Sequence, residues 1–215
     1  IPGAVILITK NQNAVFHKAY GFSDLENKIQ LKENAIFRLA SMTKALTAVA
    51  ILQLNESDLL NLNDEVSKYI PEFKNPELLV AVLPDSTFTT IPAIGEITIQ
   101  QLLTHTSGIG YGFIEDRYNA LVIKNKVSEG FCEDNRTSLE NTKKIANLPL
   151  LTNPGEKYIY GMSYDVLGTL IEVISGLRYD KYITKHILSP LEMNNSFFII
   201  PASERNRLGE VYEPT

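Results

Sequence analysis

At 215 residues, with 44% hydrophobic and 21% charged side chains, the chain can fill one large domain or two interleaved small ones, and it falls outside the disordered and fibrous classes. A net charge of −5 without a basic cluster excludes nucleic acid as the main partner. The longest apolar runs, Ala4 to Ile8 and Leu78 to Leu83, fall far short of the roughly 18 residues a membrane-spanning helix needs, so no transmembrane segment is expected in this chain.

Ala4 to Lys10 and Ala14 to Tyr20 are β-rich runs separated by Asn11-Gln12-Asn13, and they predict a hairpin. The chain to Arg38 is expected to be irregular. Ala45 to Leu52 is apolar except for Thr47, which predicts a buried helix. Asn63 to Pro71 predicts a short helix stopped by proline, and Pro76, Pro84 and Pro92 predict a stretch that is mostly loop with room for a short strand. Thr98 to Leu103 reads as a short helix running into Thr104-His105-Thr106-Ser107-Gly108. Glu115 to Asn141 is charged and weakly patterned and predicts a surface excursion bordering a cleft, with the single cysteine, Cys132, as a chance residue in a polar loop. Ser138 to Asn147 predicts a helix. So does Tyr164 to Ser175, capped by Ser163 and closed by Gly176, and so does Asp180 to Leu188, halted by Pro190. Phe197 to Ile200 is β-like. One early hairpin followed by helices, with no βαβ alternation, predicts an α+β fold.

Ser41 and Lys44 stand three residues apart at the entrance of the apolar helix, where helical spacing makes their side chains neighbours. Desolvation disfavours an ammonium, so a lysine there can take a proton from a neighbouring hydroxyl. The bare Ser-x-x-Lys pattern equally fits a serine cap followed by a lysine whose stem lies along apolar surface. His17 and His186 read as structural or exposed, and His105, amid hydroxyls, reads as a residue that fixes backbone carbonyls. Gly108-Ile109-Gly110-Tyr111-Gly112 lacks the spacing of a phosphate-binding loop and is expected to be a turn beside a pocket, with Tyr111 facing substrate. No motif for a metal or another cofactor is present. Tyr160, just ahead of the amphipathic helix, is either a packing anchor or a general base assisted by Lys44; Tyr158 and Tyr164 are assigned to packing.

Five ordered motifs together resemble the serine β-lactamase and penicillin-binding superfamily, most closely its branch of class C β-lactamases, D-alanyl-D-alanine carboxypeptidases and related esterases. They are Ser41-Met42-Thr43-Lys44, Leu62 to Pro71, Ile97 to Ile109, Pro154-Gly155 before Tyr160, and Pro190-Leu191-Glu192-Met193. The resemblance implies an antiparallel sheet flanked by helices plus a mainly helical subdomain, divided as 1–56, 57–176 and 177–215. It implies Ser41 as the acylated nucleophile, Lys44 as its proton-accepting or charge-stabilising partner, Tyr160 as the proton-relaying base, and the Ser41 N–H in an oxyanion hole. It leaves His105 structural, implies a small-molecule or peptide-like acyl substrate, and favours a periplasmic or envelope location.

Two departures qualify that picture. Where relatives carry an amide-binding Asn two positions after the tyrosine, this chain has Met162, which contacts substrate without an amide's hydrogen bonds. That favours an ester or another amide substrate over β-lactams or D-Ala-D-Ala peptides. A catalytically idle relative that binds such ligands is the rival class. The family's third motif, a Lys- or His-containing strand, is also absent. The chain starts at Ile1 without an initiator Met and stops at Thr215, so the expectation is a partial chain that a C-terminal segment or a second chain completes.

Overall fold

The computed structural model describes residues 1–83, 87–130 and 135–212. Cys132 lies outside the described residues, as does Pro84. The chain forms two compact units, residues 1–41 with 192–215 and residues 42–191.

In the first unit, β1 (Gly3–Lys10) and β2 (Asn13–Asp24) form the expected antiparallel hairpin, running from Gly3 opposite Gly21 to Lys10 opposite Asn13 with a register shift between Ile8 and Thr9. Asn11 and Gln12 both have positive φ, 50° and 65°, the geometry whose twist suits a two-residue hairpin. A short β3 (Ile29–Gln30) adds to β2 and completes a three-stranded sheet. From the other end of the chain, Ile36 and Leu208 bridge in parallel, and Arg207 donates to the Asn34 carbonyl and to Asn195 Oδ1. The β-like run 197–200 is irregular and leads into a 3-10 turn, Ala202–Arg207.

The second unit is mainly helical. Its helices are α1 (Lys44–Glu56), α2 (Ile99–Leu103), α3 (Asp116–Lys124), α4 (Ser138–Ala146), α5 (Ser163–Ser175) and α6 (Tyr179–Ile183), the last running on as a π turn to Leu188. α5 is the axis of this unit. Val166, Leu167, Leu170 and Ile171 are buried on it at helical spacing, and α1, α2, α4 and α6 pack around it. Thr98 and Thr137 form capping boxes with Gln101 and Glu140, which fixes the starts of α2 and α4. Gly176 closes α5 in the left-handed conformation, φ 69°, as the sequence predicted.

Several expectations are corrected. α1 is not buried all round. Thr47, Ala50, Ile51 and Leu54 face the core, whereas Val49 and Leu52 are exposed, because the neighbouring helices α5 and α6 cover one side. Residues 63–71 form two 3-10 turns, Val66–Lys68 and Pro71–Phe73, since Pro71 leaves no length for a longer helix. The proline-punctuated stretch contains an antiparallel hairpin, β4 (Glu77–Val82) with β5 (Phe88–Pro92), because Pro76 precedes the first strand and Pro92 ends the second. The excursion from Glu115 contains α3, anchored by buried Tyr118, Leu121 and Val122. Ser163 is the first residue of α5 and not its cap; its hydroxyl pairs with that of Ser107 at 2.9 Å. Among the described residues, no helix is long and apolar enough to cross a membrane, and no group of three or more His, Cys, Asp or Glu side chains is arranged to hold a metal ion.

Candidate active site

Lys44 opens α1, and its ammonium lies over three phenol rings, 5.0 Å from the centroid of Tyr160, 5.9 Å from Tyr111 and 6.0 Å from Tyr164. These separations are within cation–π reach, so the rings stabilise the charge where water is partly excluded. Tyr164, assigned to packing from the sequence, therefore also belongs to this cluster; its hydroxyl donates to the Leu103 carbonyl at 3.0 Å.

Tyr160 is positioned through its backbone neighbours. The Ile159 N–H donates to the His105 carbonyl at 2.8 Å, and Gly161 lies so close to Ile109 and Gly110 that a Cβ there would stand 2.1 Å from the Ile109 oxygen. His105 makes this possible because it ends α2 in a left-handed conformation, φ 55°. Its N–H bonds the Leu102 carbonyl and the Thr106 N–H bonds that of Gln101, the paired bonds of a Schellman closure in which glycine is the usual residue. The His105 ring is buried among Tyr158, Tyr160 and Tyr164, with centroids 5.7, 4.8 and 5.0 Å away, and its Nδ1 has no hydrogen-bond partner. Burial, reinforced by the Lys44 ammonium, lowers its pKa from 6.5 to about 4, so the imidazole is neutral at physiological pH.

Asp165, in the first turn of α5, was not singled out from the sequence. Burial raises its carboxyl from 3.8 to about 6; Lys44 pulls against that shift, and Glu129 adds to it. An acidic residue at this position reads as an ordinary partner for the helix dipole, so the sequence carries no signal of its coupling to Lys44. Burial pushes the Tyr111 phenol well above its usual range, with Asp165, Tyr160 and Glu129 adding to the effect. The loop that carries Tyr111 is fastened at Gly112, whose N–H donates to Glu129 Oε1.

Of the residues expected from the sequence, the structure groups Lys44, Tyr160 and Tyr111. Ser41 is exposed in a 3-10 turn, Ala40–Thr43, that runs directly into α1, and Ala40 before it is left-handed at φ 43°. Met162, expected to contact substrate, is 0% exposed within the hydrophobic core and offers no surface to a ligand. The correction has a simple cause: an apolar side chain where relatives carry an amide gains more from burial than from facing a polar site.

The fold is that of the beta-lactamase family, and the chain belongs to it: the family's profile matches residues 1–215. Among individual relatives, it is 37% identical to the protein flp of Staphylococcus aureus strain MW2 over 199 residues, which is 92% of this chain and 35% of that protein. It is 30% identical to esterase EstB of Burkholderia gladioli over 203 residues, 94% of this chain and 48% of that one. Among solved structures, EstCE1, described as a hydrolase with promiscuous acyltransferase activity, superposes with a TM-score of 0.74 at 27% identity, covering 89% of this chain and 47% of the other. The chain thus spans less than half the length of each of these relatives.

Proposed function

We propose that the chain carries the nucleophile-bearing part of a serine hydrolase that cleaves an ester or amide through an acyl-enzyme on Ser41. The observation that carries the reading is the ammonium of Lys44 set over the ring of Tyr160 at 5.0 Å, at the first residue of the helix that Ser41 precedes by three residues. In this scheme Tyr160 acts as the phenolate charge-paired with the Lys44 ammonium: the Ser41 hydroxyl attacks the substrate carbonyl as its proton passes to the Tyr160 oxygen. The Ser41 N–H donates to the resulting oxyanion. The intermediate collapses as the leaving alcohol or amine takes the proton back from Tyr160. A water molecule then attacks the acyl carbonyl while giving up a proton to Tyr160, and that proton passes to Ser41 Oγ as the Oγ–acyl bond breaks and the acid leaves.

The left-handed Ala40 before Ser41 supports the scheme, because backbone strain of this kind is kept where the surrounding structure requires a particular side-chain direction. Withdrawal of Met162 into the core supports esters over β-lactams, since no amide is present at that position to bind an acylamino side chain. EstB, an esterase by name, supports the same preference.

The test is peptide mass spectrometry after exposure to a fluorophosphonate, alongside p-nitrophenyl acetate hydrolysis. The expected result is one adduct on Ser41 and loss of turnover in Ser41→Ala. Turnover that persists in Ser41→Ala, or an adduct elsewhere, refutes the assignment.

A further inference from the structure

The rings around Lys44 continue outward. Tyr111 meets Tyr160 edge-on at 5.6 Å and stacks on Phe113 at 4.7 Å, with 27° between the two planes. Tyr111 is nearly buried, but Phe113 is 65% exposed and the adjacent Ile114 is 50% exposed. The Gly112 N–H, between the two stacked residues, is held by Glu129, so the aromatic pair sits on a fastened loop. An exposed ring already stacked on a buried one presents a flat apolar face with few rotamers left to lose, which favours capture of another aromatic or long apolar group.

The charges nearby select further. The Lys44 ammonium lies 5.9 Å from the Tyr111 ring, the Glu129 carboxylate holds the Gly112 N–H beside it, and Asp165 in the first turn of α5 is coupled to Lys44. A substrate carrying its own carboxylate beside the scissile carbonyl would bring a third negative charge to this cluster, with one cation to meet it. Neutral substrates avoid that cost.

Building on the serine hydrolase reading, we propose that Tyr111 and Phe113 form a subsite for an aromatic or long apolar group of a neutral ester, and that carboxylate-bearing esters are discriminated against. The test compares kcat/KM for three p-nitrophenyl esters, the acetate, the 4-phenylbutyrate and the hemisuccinate. A second series uses ethyl and benzyl acetate to read the alcohol side. The parent protein is expected to prefer the aromatic member of at least one series by about tenfold, the size of one well-formed stacking contact together with its buried area, and to turn over the hemisuccinate more slowly than the acetate.

Phe113→Ala should abolish the aromatic preference through a raised KM, Phe113→Leu should keep part of it, and Phe113→Lys should improve the hemisuccinate relative to the acetate. Because Phe113 is exposed, all three variants should melt with the parent, which thermal denaturation checks. An aromatic preference unchanged in Phe113→Ala in both series, or no preference in the parent, overturns the subsite. Absence of all ester turnover and of a Ser41 adduct in the parent would overturn the underlying hydrolase reading instead, so the two failures are distinct.

Discussion

Replacing Asp165 by asparagine removes a carboxyl whose pKa rises from 3.8 to about 6 on folding. A raised pKa means that the folded protein holds the proton more tightly than the unfolded chain. The resulting stabilisation is fully present below the unfolded value and is lost as pH climbs through the folded one, a swing of about 3 kcal/mol. His105 behaves in the opposite sense. Its pKa falls from 6.5 to about 4, so its stabilisation is present above 6.5 and is lost as the pH drops through about 4, by a similar amount of about 3 kcal/mol.

Between these values the two groups oppose each other, and their joint contribution to the parent protein is nearly flat. Asp165→Asn keeps the side-chain shape and leaves His105 uncompensated. Urea denaturation at constant m-value should show the variant gaining about 3 kcal/mol on the parent between about pH 4 and about pH 8, and losing stability more steeply than the parent on acidification. Parallel stability curves for the two proteins across that range would refute the reasoning.

Two further outcomes follow from the same site. Lys44→Met removes the ammonium that lowers both neighbours, so the pKa of the His105 imidazole and that of the Asp165 carboxyl should both rise; NMR titration reads each, and two unmoved curves would contradict the proposed coupling. Gly161→Ala drives a Cβ to 2.1 Å from the Ile109 carbonyl oxygen and 2.6 Å from the Gly110 backbone, groups that cannot rotate away. It should destabilise the protein by about 2–4 kcal/mol, and a melting temperature equal to the parent's would be the contrary result.

The hairpin, α2, α4 and α5 were legible because each carries its own local signal. Asn11-Gln12 supplies the turn, Thr98 and Gln101 the capping box of α2, and Gly176 the end of α5. The β4–β5 hairpin was hidden because Pro76 and Pro92 were counted as breakers, whereas they border the strands. At the site, the order of motifs pointed to Lys44 and Tyr160. Local spacing said nothing of Asp165 or Tyr164, which meet Lys44 only through the packing of α1 against α5. Met162 was misread because its place in the motif was weighed above its hydrophobicity, and burial decided its position. His105 was expected to fix backbone carbonyls, yet its Nδ1 has no hydrogen-bond partner and its bonds to the neighbouring backbone come from its main chain; the absence of a glycine at the end of α2 gave no sign of its left-handed conformation.

The ring of phenols around Lys44 also makes this protein easy to watch. The chain has ten tyrosines and no tryptophan, so its ultraviolet emission comes from tyrosine alone. Tyr111, Tyr160 and Tyr164 surround one amine, with Asp165 coupled to the same group. A molecule settling over Lys44 changes the polarity and hydrogen bonding of these fluorophores together, so occupancy can be followed in the unlabelled protein with no dye, tag or coupled assay.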